Sequence, residues 1–175
     1  MRQKRIFAAV SGVALAGVFG AAAYAANPET VIAEVEFVTP VTISTNNALR
    51  FGLLDAGMLN AETVVISTAS GVTDAAGNVL GGTQQAASLD VSATGSQPIN
   101  ILVDAISGGT GYTLTGFQCD YDGTGATACD VAGGVNATSA AGGSATLLIG
   151  ATLTGNGGAS PGVDNGQFNV TITYQ

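Results

Sequence analysis

The chain has 175 residues, 46% of them apolar and only 9% charged, with a formal charge of -8, a composition that fits a globular domain and not a disordered one. Of its four basic residues, Arg2, Lys4 and Arg5 crowd the start, so Arg50 alone faces twelve Asp and Glu over the rest of the chain. This excludes nucleic-acid binding, because nothing could displace phosphate counterions, and the absence of His excludes His-based acid–base catalysis, Ser-His or Cys-His nucleophiles and His-ligated metals.

Residues 1–25 read as a cleaved signal peptide: a basic start, MRQKR, an uncharged run rich in Ala and Gly, then Ala23-Tyr24-Ala25 as a small-x-small cleavage site. A retained anchor is the competing reading, since Ile6 to Ala26 approaches the ~20 residues of a membrane span. The Ala and Gly content and the Ala-Tyr-Ala end favour cleavage, which leaves residues 26–175 as a single domain with no membrane span.

Strand signals then dominate. Val31, Ala33, Val35 and Phe37 alternate with Thr30, Ile32, Glu34 and Glu36, the period of a half-buried strand, and Val41 and Ile43 continue the pattern past Pro40. Weaker runs follow at Leu49 to Leu54, Thr63 to Ser67, Ala87 to Thr94, Ile99 to Asp104, Tyr112 to Gln118 and Ala145 to Thr154. The clearest run is last: Phe168, Val170, Ile172 and Tyr174 alternate with Gln167, Asn169, Thr171, Thr173 and Gln175. Gly, Asn, Asp and Ser clusters separate these runs, and the pairs Gly81-Gly82, Gly108-Gly109, Gly133-Gly134, Gly142-Gly143 and Gly157-Gly158 read as turns. No helical period appears after the signal peptide. Eight or nine short strands spaced by ~8–12 residues predict an all-β sandwich of two antiparallel sheets.

In an exported chain, Cys119 and Cys129 can form a lasting disulfide across the intervening DYDGTGATA, read as a structural staple since a redox pair usually has the closer C-x-x-C spacing. Asp120, Asp122 and Asp130 crowd this loop, but it lacks the third ligand before its Gly and the distal Glu of a calcium loop. No pair of acids sits among the aromatic platforms that a glycoside-cleaving cleft uses, and no G-x-S-x-G, phosphate loop or dinucleotide fingerprint occurs. The residues therefore propose no catalytic site, no metal and no cofactor.

The ending FNVTITYQ, with its penultimate Tyr174, resembles the final strand of chaperone-usher pilins. The wider pattern, AEVEFVTPVTIS, LRFGLLDAG and the closing VTITYQ, is similar to a family of exported bacterial proteins known only as a domain of unknown function. The pilin resemblance implies an immunoglobulin-like sandwich one strand short, completed by strand exchange with a neighbouring subunit. It implies a donor within residues 27–38, inserting Val31, Ala33, Val35 and Phe37, and an acceptor edge at Phe168, Val170, Ile172 and Tyr174. The same N-terminal run also reads as the first strand of a self-contained sandwich, and the Cys119 and Cys129 pair lies later than the disulfide common in such pilins.

The expected function is that of a secreted structural subunit of a bacterial surface fibre or matrix, passing through the periplasm to the cell surface. Its partners would be copies of itself or related subunits, with a periplasmic chaperone and an outer-membrane usher. The alternative is a monomeric binding or adhesin domain that recognises a cell-surface or glycan ligand through its Gly/Asn/Thr-rich loops.

Overall fold

The computed structural model describes residues 32–175. The expected signal peptide and Val31 lie outside the described residues, which carry twelve strands and no helix: β1 (Thr42–Asn47), β2 (Arg50–Leu54), β3 (Thr63–Ile66), β4 (Val72–Asp74), β5 (Val79–Gln85), β6 (Ala87–Ser92), β7 (Pro98–Ser107), β8 (Tyr112–Tyr121), β9 (Thr127–Ala128), β10 (Val135–Thr138), β11 (Ser144–Gly155) and β12 (Gln167–Tyr174). All pairings are antiparallel.

The strand β11 organises the larger sheet. One of its edges bonds β8 over Leu147 to Gly155, while the other is shared end to end by β6 over Ser144 to Ile149 and by β3 over Ala151 to Thr154. Then β1 adds to β6, β4 to β3 and β9 to β8. A second sheet, ordered β10-β7-β12, and a two-stranded ribbon, β2-β5, complete the architecture. The alternation read from the sequence explains which faces turn inward: Leu89 and Val91 of β6, Phe117 and Cys119 of β8, and Leu147 and Ile149 of β11 meet Ile99, Ile101 and Val103 of β7 in one core. At about 1.5–3 kcal/mol for each large apolar side chain fully buried, this layer is the main source of stability. The result is an antiparallel β-sandwich.

Two departures from the sequence reading have physical causes. No strand covers residues 32–41, so the first strand among the described residues is Thr42–Asn47, and the described part of the expected 27–38 run, with Ala33, Val35 and Phe37 exposed, is irregular chain. Pro40 helps to end the regular structure, since it offers no N–H to a ladder. Gly81 and Gly82 are not a turn between strands but lie inside β5, where the register against β2 shifts twice. Their φ angles of 147° and 78° are open to Gly and costly for other residues, which is how a bulged strand passes there.

One seam between the two sheets is closed by the staple. Cys119 and Cys129 are bonded with their Cα atoms 5.8 Å apart. The Cys129 N–H donates to the Phe117 carbonyl of the larger sheet (3.1 Å), and the Cys129 carbonyl accepts from the Val103 N–H of the smaller one (2.9 Å). Cys129 thus binds both layers and is fully buried. Truncating the equally buried Phe117 to Ala is expected to cost about 3–5 kcal/mol, and reducing the disulfide about 2–4 kcal/mol. Urea unfolding of the oxidised, reduced and F117A proteins checks both values.

Candidate functional site

The opposite seam is built differently. There β1 forms the outer edge of the larger sheet and β12 the outer edge of the smaller one, and each pairs on one side only. Backbone parity shows which groups are left over. The Gln175 N–H donates to the Pro98 carbonyl at 3.1 Å, in register with Thr173↔Asn100 and Thr171↔Leu102. Antiparallel alternation then turns the N–H and C=O groups of Val170, Ile172 and Tyr174 away from β7. On the other wall, the Ala93 N–H donates to the Gly143 carbonyl at 2.8 Å, so the even-numbered positions of β6 face β1. With Thr42↔Ser92 and Ser44↔Asp90 in register, the backbone groups of Ile43 and Thr45 also point outward.

Between these two edges runs a groove of about 540 Å³, lined by Ile43 and Thr45 of β1, Ala87 and Leu89 of β6, and Phe168 and Val170 of β12. At its base Ala87 and Leu89 are buried, the half-buried Phe168 and Val170 and the part-exposed Ile43 form its apolar walls, and outward backbone groups of both edges border it. The four residues singled out on the last strand do alternate inward, but unequally. Ile172 is buried, whereas Phe168, Val170 and Tyr174 are only half-buried. The Phe168 ring reaches across to Phe117 of the larger sheet, with centroids 4.9 Å apart and planes tilted by 57°, an attractive edge-tilted geometry. Ile43 of β1, although its side chain faces the core side, remains 36% exposed.

The two ends of the groove also differ. At one end the Tyr174 hydroxyl crosses between the sheets, donating to the Thr39 carbonyl at 2.8 Å and accepting from the Thr94 N–H at 2.6 Å. Thr39 is held again from its other side, its N–H donating to Thr94 Oγ1 at 2.7 Å. Desolvation pushes the Tyr174 hydroxyl up, but its hydrogen bonds with the side chain and backbone of Thr94 and with Thr39 outweigh this and hold it below the ordinary tyrosine value. At the other end, around Leu49, Gly166 and Phe168, the groove runs into a second cavity of about 490 Å³ that reaches Phe51, Leu54 and Leu114.

The remaining sequence candidates have local tasks. Asp120 Oδ1 accepts from the Gly125 N–H within the stapled loop (2.9 Å) and Asp130 Oδ2 from the Phe117 N–H across its base (3.0 Å), so both carboxylates hold local backbone. Glu34 and Glu36 lie before the first strand. The sequence reading missed Thr39 and Thr94, because nothing in their spacing shows that Tyr174 will reach them from the far end of the chain.

Fold and seam together define an all-β domain with one closed and one open side. Residues 41–174 match the family described as a domain of unknown function (DUF4402), and the chain belongs to that family. No curated protein and no solved structure matches it.

If the two edges are unpaired as this geometry has them, amide exchange in the monomer alternates along β12. The N–H groups of Val170 and Ile172 are expected to exchange at least about tenfold faster than those of Thr171 and Thr173. Residue-resolved hydrogen exchange by NMR measures this directly, and uniform protection along the strand would contradict it.

Proposed function

We propose that this chain is a secreted structural subunit of a bacterial surface fibre or extracellular matrix, assembled by addition of a strand from one copy to the sandwich of the next. The observation that carries the reading is the groove flanked by the outward backbone groups of Ile43, Thr45 and Val170. A strand laid between β1 and β12 would pair both edges at once, and its alternate side chains would cover the apolar floor; this is the general physics of strand addition. Exposed edges of this kind are a liability unless something covers them.

The occupant we assign is the N-terminal segment of a second copy. Residues 32–41 belong to no strand, and the 27–38 run has the alternation that the groove requires: Ala33, Val35 and Phe37 toward the floor, Glu34 and Glu36 toward water. An extended segment of this length covers ~3.3 Å per residue, enough to run along the part of β12 that lines the groove. A periplasmic chaperone would serve the same edges before assembly and an outer-membrane usher would exchange it for the incoming subunit; both partners follow from the resemblance of the last strand to chaperone-usher pilins.

A second reading has its own support. The cavity at the open end is lined by Tyr112 and Asp164 and also by Arg50, with the Thr110 N–H donating to Asp164 at 2.7 Å, and polar side chains spaced along apolar walls would suit a glycan-binding or adhesin domain.

Deleting residues 27–38 is expected to leave a folded monomer that cannot polymerise. Electrophoresis in detergent reads the outcome: the full mature chain gives a ladder of multimers that collapses on boiling, and the truncated chain gives one band in both lanes. A truncated chain that still forms the ladder removes the donor role, and a full chain that is monomeric in both lanes favours the ligand-binding reading.

A further inference from the structure

Strand addition leaves polarity open, and polarity decides what assembles. The strands β1 and β12 run in opposite directions along the groove: Tyr174, at the end of β12, touches Thr39 ahead of β1, while Leu49, just after β1, shares the groove with Gly166 and Phe168 at the start of β12. The chain therefore enters each sandwich, at Thr39, at the Tyr174 end. An incoming segment is tied to its own domain by a linker at Thr39 and Pro40, and that linker must leave the groove at one end or the other.

If it leaves at the Tyr174 end, the two domains meet by the same end. Such a contact is two-fold and closes as a reciprocal dimer; the same end is also where a subunit's own segment would fold back into its own groove. If it leaves at the Phe168 end, unlike ends meet and the contact repeats without closing, which makes a fibre. The clasp stands in the way of the first route. At the Tyr174 end the two sheets are already bridged by the subunit's own Thr39, bonded through its N–H and its hydroxyl to Thr94 Oγ1 (2.7 and 3.0 Å) and through its carbonyl to Tyr174. Ile172 beside it is buried, and the groove narrows out before it. At the Phe168 end the groove stays open into the second cavity.

We propose that the Tyr174–Thr39–Thr94 clasp is a polarity gate: it denies the groove's near end to any linker, the subunit's own included, so that a neighbour's segment lies antiparallel to β12 and assembly is head-to-tail and open-ended. This inference rests on the strand-addition reading. It makes Tyr174 a positioning residue that selects fibre over closed dimer, beyond its place as the last apolar residue of the edge.

Two measurements on the full mature chain test it. Tyr174→Phe keeps the ring and removes both hydroxyl bonds; multimers above the dimer in unheated gels are expected to fall about tenfold, with monomer and dimer rising in their place. An unchanged ladder would overturn the gate. Independently, with Tyr174 intact, cysteines at Val38 and Asn169 are expected to cross-link neighbouring copies, and cysteines at Val38 and Thr173 are not; the reverse pattern would also overturn it. A parent chain with no heat-sensitive ladder at all would instead overturn strand addition itself, so the two failures are distinct.

Discussion

The backbone of a β-strand carries polar groups on both edges, and water or another strand must meet them. In this sandwich that constraint is met unequally on the two seams. On one, Cys129 gives its N–H to Phe117 and its carbonyl to Val103 and is covalently fixed to Cys119, so the layers are stitched together there. On the other, β1 and β12 each have one neighbour, and Phe168 and Val170 between them are half-buried. The functional reading follows from that asymmetry. A domain closed on both seams would have no use for a spare alternating segment, and one open on both would have too little core to hold the groove in shape.

Packing and function meet in β12. Its outer positions Thr171 and Thr173 bond β7 through their backbone, while its inner side chains span from a buried Ile172 to a half-buried Phe168. The buried end supplies the rigidity on which Tyr174 reaches across to Thr39 and Thr94. The open end leaves Phe168 and Val170 half-buried, the surface that the proposed strand addition would use. One strand thus anchors the smaller sheet and borders the groove, and burial falls along it from one end to the other.

Much of the fold was legible in the sequence because strand alternation is local. Phe168 to Tyr174, Ala145 to Thr154 and Tyr112 to Gln118 announce their inward faces by residue type alone, and the Cys pair at a short spacing announces a staple. The strands that escaped notice lack that signal: β9 is two residues long, β4 three residues long, β10 offers only Val135 and Ala137 to the core side, and β5 is interrupted by Gly81 and Gly82, which read as a turn until a bulge explains them. The groove was legible only in outline. The alternation of the 30–37 run suits either a first strand of the domain or a segment added to another copy, and which edges β6 and β7 leave to β1 and β12 is a fact of topology that the alternation does not contain. The Tyr174 clasp was not legible, since it joins residues 80 and 135 positions apart.

The central claim is that the seam between β1 and β12 is an open strand position that the 27–38 segment fits. The most direct measurement adds a synthetic peptide of residues 27–38 to isotope-labelled domain lacking that segment and follows contacts by isotope-filtered NMR. The account predicts saturable binding, with cross-strand contacts from the peptide to Ile43 on one side and Val170 on the other, and new exchange protection at Val170 and Ile172. A peptide in excess that leaves those amides unprotected, or that contacts the domain elsewhere, would contradict it.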